Sequence, residues 1–247
     1  MNPTQKPFFS KFVEGCGTHA VVDFPKTDLG SLQFQFALTL FFRLNYAGIP
    51  ISYYGFRKGK SQIILEPTLP LDIQGVGRFY AEGKAVKLYR VYQMNPFYPP
   101  KVELWSKGEN SDVDSLLIID PSTFSPAFSF GGTTGTPNDL LDKVSLKKVF
   151  SRVALGERSS YIDLVNSIYA MIQSVGYALS HFFEEKGFTL IDFKIELGVN
   201  SIGQVVVLEP ILLSDMRLQV KSTRERWDVE GRPEVDQEIL YRRIINA

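Results

Sequence analysis

The residues with the most chemical potential sit near the end of the chain. Phe188 to Leu197 reads F-T-L-I-D-F-K-I-E-L, and in a strand alternate residues share a face. Ile191, Phe193, Ile195 and Leu197 then face one way and Asp192, Lys194 and Glu196 the other. A turn over Gly198 to Gly203 leads to a second strand from Gln204 to Leu208 that ends in Glu209. A hairpin centred near Asn200 and Ser201 pairs Glu196 with Val205 and Asp192 with Glu209, which places three carboxylates on one face. A slip of one residue turns Glu209 away. Clustered carboxylates repel one another unless a cation is present. Hard oxygen ligands suit magnesium, which takes one or two protein carboxylates together with substrate phosphates. The alternative is an ordinary strand with one solvated polar face.

These residues need elements to hold them. The helix before the strand is predicted from about Ser160 to Lys186, with Tyr161, Leu164, Ile168, Ile172, Val175, Leu179 and Phe182/Phe183 on one face. Ser160-x-x-Asp163 opens it like a capping box, and Gly187 stops it. An earlier helix is predicted over Ser31 to Ala47, with Leu32, Phe36, Leu40 and Leu44 on its apolar face, Ser31 as N-cap and Gly48 at C′. Ile49 to Phe56 reads as a strand. Ile63 to Leu65, Leu71 to Ile73, Lys87 to Tyr92 and Lys101 to Trp105 are short strands, with Pro67 and Pro70 flanking a kinked connection. Pro121 to Asn138 is a flexible loop whose glycines match no Walker motif. Tyr89, Tyr92, Phe97 and Tyr98 read as a packed sheet face, with a subunit contact in a homo-oligomer as the alternative.

Composition bounds the class. The chain has 247 residues, 44% of them apolar, and its 27 basic and 27 acidic side chains leave a formal net charge of zero. Such a length supports a core without staples, and the balanced charge argues against nucleic acid as a partner. The lone Cys16 forms no internal disulfide and suits a reducing cytoplasm. No apolar run is long enough for a membrane span, and Met1 to Phe9 lacks a signal-peptide pattern. His19 and His181 with one cysteine are too few for a zinc site and read as surface or packing residues.

Four segments together resemble the SAICAR synthetase family, the ATP-dependent ligases of purine biosynthesis. HFFEEKGFTLIDFKIELGVNSIGQVVVLE is similar to the family's C-terminal signature of helix, D-x-K-x-E-x-G strand, turn and acid-ending strand. RERWDVEGRPEVDQEILYRR resembles its Arg-x-Trp-Asp segment and following helix. LTLFFRLNYAGIPISYY resembles the N-terminal lobe helix and strand, and LPLDIQGVGRFYAEG the family's strand before its "AAGS" turn.

The resemblance implies an α+β, two-lobed fold related to ATP-grasp and kinase-like folds, with ATP between lobes spanning 1–66 and 67–247. It implies a ligase that joins aspartate to carboxyaminoimidazole ribonucleotide (CAIR), with ATP and Mg2+ as cofactors and a nucleotide-like small molecule as substrate. Carried over residue by residue, Glu196 and Glu209 hold the magnesium, although the family has Asp where Glu209 stands. Lys194 and Asp192 are the catalytic pair, Lys194 as a cation near phosphate. Arg78 meets the sugar-phosphate substrate beside Asp72, and Arg224 or Arg226 matches the arginine before Trp-Asp.

The departures bear on function. VEGCGTHAVV lacks the lysine of the family's glycine-rich hairpin, and Glu82-Gly83-Lys84 falls in the wrong order to replace it. Glu209 to Asp215 is longer and more apolar than the family's aspartate-handling loop. Two further readings therefore stay open: a relative acting on another nucleotide-like substrate, and a non-catalytic binding protein that kept the fold.

Overall fold

The computed structural model describes residues 9–10, 20–106, 115–117, 128–130, 133–135, 161–229 and 233–246. They form an α+β arrangement that divides into two compact units. The first comprises Met1–Pro67, Val175–Phe193 and Pro210–Ala247, and the second Thr68–Ser174 and Lys194–Glu209. The first unit is thus built from three segments of the chain and the second from two.

In the first unit, β1 (Phe9–Ser10), β2 (Ala20–Asp23), β3 (Tyr53–Arg57) and β4 (Gln62–Leu65) form a sheet in the order β1-β2-β4-β3. Helix α1 (Asp28–Tyr46) follows β2. Its N-cap is Thr27 rather than the expected Ser31: the Thr27 hydroxyl accepts from the Gly30 amide at 3.0 Å, one turn earlier. Gly48 takes φ +73° just past the end, the left-handed conformation that costs glycine nothing. The expected stripe of Leu32, Phe36, Leu40 and Leu44 is buried throughout.

That stripe meets α4 (Glu234–Asn246), where Tyr241 packs edge-on against Phe36 with ring centroids 5.2 Å apart. Phe183 lies 6.4 Å from Phe36. It comes from the C-terminal part of α3 (Tyr161–Glu185). The Tyr241 hydroxyl accepts from the Leu213 amide at 3.2 Å, and burial pushes its pKa above the ordinary phenol value. The first half of β10 (Phe188–Asn200) pairs with β12 (Met216–Val220), and β12 with β13 (Arg226–Asp228).

In the second unit, β5 (Thr68–Tyr80) lies between β10 and β6 (Pro96–Ser106), and β6 pairs with β7 (Ser115–Leu117). Pro70 thus stands inside a strand, not in a connection. It lies outside the stretch Ile73 to Tyr80 that pairs with β6, so its missing amide removes no rung of that ladder. Between β5 and β6 the chain forms α2 (Lys84–Tyr89), where alternation over Lys87 to Tyr92 suggested a strand. Gly83 stands at its N-cap, so Glu82-Gly83-Lys84 is a helix start and not a phosphate hairpin.

Within the stretch expected to be a loop, β8 (Phe128–Phe130) and β9 (Thr133–Gly135) pair with each other. Helix α3 covers β5 closely: a Cβ added at Gly75 would lie 2.5 Å from Ile172 Cδ1. Ile168 and Ile172 are buried in this part of α3, as the helical spacing predicts. The capping box at Ser160 lies outside the described residues.

Candidate functional site

The centre of the expected site is the hairpin of β10 and β11 (Val205–Val207). Its register is Leu197↔Val207, Gly198↔Val206 and Val199↔Val205, which centres the turn on Ile202. Asn200 sets this geometry. Its side-chain oxygen accepts from the amides of Ile202 (3.2 Å) and Gln204 (2.9 Å), and Gly203 supplies the left-handed residue at φ +82°.

The sequence-based pairing is therefore corrected. Glu196 stands opposite Leu208, whose amide donates to the Glu196 carbonyl at 2.9 Å, and not opposite Val205. Glu209 is one residue beyond that partner, in a bend after β11 ends, where strand alternation no longer dictates the side it faces. Among the described residues no group of three His, Cys, Asp or Glu side chains converges as a metal site, so the three-carboxylate face does not form. Glu196 and Glu209 are both half-buried, as is Lys194 two residues before Glu196. Two hard carboxylates with a lysine nearby remain a donor set that fits magnesium carrying phosphate oxygens.

Asp192 belongs to the first unit. It is buried and directly opposite Arg217 of β12, next to a bulge in the β10–β12 ladder. The Arg217 guanidinium grips the carboxylate with both Nε and Nη2, the Nε contact being 2.8 Å. Arg217 in turn stands opposite Asp228 of β13, so acid, base and acid form a row across three strands. Arg224 sits at an exposed turn with φ +61°; its carbonyl accepts from Gln219 at 3.1 Å. Arg226 is exposed on β13 opposite Gln219.

Arg78 is 6% exposed and lies on β5. It makes a two-point contact with Glu103 of β6, Nη2 to Oε2 being 2.9 Å. The Trp105 indole donates to the same carboxylate at 3.0 Å. Burial, reinforced by the Glu103 charge, holds the Tyr89 hydroxyl above its ordinary pKa. Glu103 escaped the sequence reading. The alternation Lys101, Glu103, Trp105 was a usable signal, since it puts all three on one face of β6. Asp72 lies on β5, with its side chain outside the described part. His181 is exposed beside Glu185, as expected of a surface residue. His19, Cys16 and the glycine-rich run from Val13 lie outside the described residues, except that its end, Ala20 to Val22, forms part of β2.

Comparison with known proteins agrees with this architecture. The family model for SAICAR synthetase matches residues 143–246. The phosphoribosylaminoimidazole-succinocarboxamide synthase of Aquifex aeolicus is 26% identical over 199 residues, covering 80% of this chain and 76% of that protein. The solved synthase of Ehrlichia chaffeensis superposes with a TM-score of 0.70 at 16% identity, over 98% of this chain and 99% of that one. A SAICAR synthetase solved in complex with ADP gives a TM-score of 0.68 at 18% identity, over 93% and 91%. The fold is that of the SAICAR synthetases, and the C-terminal part of the chain matches the model of that family.

Proposed function

We propose that the protein is an ATP- and magnesium-dependent ligase of the SAICAR synthetase type in purine nucleotide biosynthesis. ATP phosphorylates the carboxylate of CAIR, the aspartate amine attacks the resulting acyl phosphate, and phosphate leaves as the C–N bond forms. The products are SAICAR, ADP and phosphate, with the amine proton released.

The observation that carries this reading is the β10–β11 hairpin, which lies within the family match and keeps Lys194, Glu196 and Glu209 on adjoining backbone. Glu196 and Glu209 would hold magnesium, which when bound neutralises phosphate oxygens. Lys194 adds a fixed positive charge beside them, and Arg78 holds the sugar phosphate of the substrate near Asp72. Asp192 enters the reading already clasped by Arg217, so it acts on the reaction through the strand that it fixes. Arg224 is kept as a substrate-binding candidate on the family resemblance alone. A cytoplasmic enzyme using a small nucleotide substrate completes the proposal, with the lone cysteine in its support.

The test is ADP release measured with ATP, CAIR and aspartate, omitting each in turn. Release that needs all three supports the proposal, and none with any combination overturns it. A second reading, a different amine substrate, is favoured by Ile211, Leu212 and Leu213. They are buried in the segment after Glu209, and the Asp215 carboxylate accepts from the Leu212 amide at 2.9 Å. That carboxylate is thus committed to its own turn. A panel of amines offered in place of aspartate separates the two readings.

A further inference from the structure

Glu103 serves no step of the reaction proposed above, yet it is buried and held by the side chains of Arg78 and Trp105. The β5–β6 register sets Val76 opposite Glu103, Arg78 opposite Lys101 and Gln74 opposite Trp105. Residues opposite one another share a face, so Arg78 reaches Glu103 along a diagonal. Glu103 is 3% exposed and accepts from two side chains, Arg78 and Trp105, and its charge helps to raise the pKa of Tyr89.

A buried ion pair is a poor device for stability, because desolvation offsets most of the attraction. It is a good device for fixing a guanidinium. The two-point contact occupies the Nε–Nη2 edge and fixes the plane of the guanidinium. The surroundings favour an anion. Lys84 Nζ lies 5.5 Å from the Trp105 ring centroid and Lys101 Nζ 5.9 Å from that of Tyr89. Two lysines thus lie over aromatic rings of the same region, beside the Arg78 guanidinium that Glu103 holds.

We infer that Glu103 is a positioning residue: steadied by the Trp105 indole, it holds Arg78 in the orientation that receives the phosphate of the sugar-phosphate substrate. The inference rests on the ligase reading. Glu103 touches no substrate and acts only through Arg78.

The experiment is steady-state ADP release by wild type and Glu103→Gln, with CAIR, ATP and aspartate varied in turn. The inference predicts a KM for CAIR raised at least tenfold, with the KM for ATP within twofold and kcat within threefold. Should Glu103→Gln fail to fold, Trp105→Phe removes one hydrogen bond from Glu103 and is expected to raise the same KM two- to fivefold. Active wild type with an unchanged CAIR KM in every folded variant overturns this inference alone, as does an equal rise in the KM values for CAIR and ATP. Wild type that releases no ADP overturns the ligase reading and this inference with it.

Discussion

Removing Arg217 should expose how much of the first unit depends on the charge row across β10, β12 and β13. Arg217→Met keeps the length and most of the volume of the side chain but leaves the Asp192 carboxylate, on a residue 5% exposed, without its two-point partner. Stripping one member from a fully buried pair costs about 3–5 kcal/mol. The Arg217 side chain is 26% exposed, so water reaches part of the contact and the expected loss is about 2–3 kcal/mol. For a chain of this size that lowers Tm by roughly 5–10 °C. Urea unfolding of wild type, Arg217→Met, Asp192→Asn and the double variant measures it. The midpoint should fall with an unchanged slope, and the double variant should lose clearly less than the sum of the singles. A loss below about 0.5 kcal/mol in Arg217→Met, or strictly additive losses, would refute the claim that the pair organises these strands.

Three further outcomes follow from the same geometry. Tyr241→Phe leaves the Leu213 amide without its acceptor in a buried position and should cost about 1–3 kcal/mol by urea unfolding. Gly30→Ala places a methyl carbon 2.0 Å from the Pro25 carbonyl oxygen, so backbone must move, and Tm should drop by several degrees in a thermal melt. Burial raises the pKa of both Tyr89 and Tyr241. Above the ordinary phenol pKa of about 10 the unfolded chain therefore loses these protons while the folded chain keeps them, and stability falls as pH rises. Urea midpoints between pH 8 and 11 should decline more steeply for wild type than for the Tyr89→Phe/Tyr241→Phe variant.

Much of the scaffold was legible from spacing alone. Leu32, Phe36, Leu40 and Leu44 marked one face of α1, and Ile168 to Phe183 marked α3, because helical burial repeats with a period that few other patterns mimic. The hairpin after Gly187 was legible too, since alternation and a glycine-bearing turn both survive in one dimension. Its register was not. The Asn200 side chain draws the amides of Ile202 and Gln204 and shifts the turn centre, a contact that composition does not announce. Lys87 to Tyr92 misled because six residues of a short helix do not complete enough turns to outweigh alternation. Pro70 misled because exclusion of proline from strands applies to paired amides, and the β6 ladder starts only at Ile73. Arg78 was singled out through the family resemblance. Its partner Glu103 was marked by the alternation Lys101, Glu103, Trp105, but the pairing of the two needed β5 and β6 side by side.

The central claim is that the β10–β11 hairpin binds nucleotide through a cation held at Glu196. Isothermal titration of the protein with ATP, with and without magnesium and beside Glu196→Gln, addresses it directly. The account predicts binding that needs magnesium and weakens at least tenfold in Glu196→Gln while the Tm of the free protein stays within about 2 °C, because Glu196 is only half-buried. Equal ATP binding by wild type and Glu196→Gln, or no binding by wild type at saturating magnesium, would contradict it.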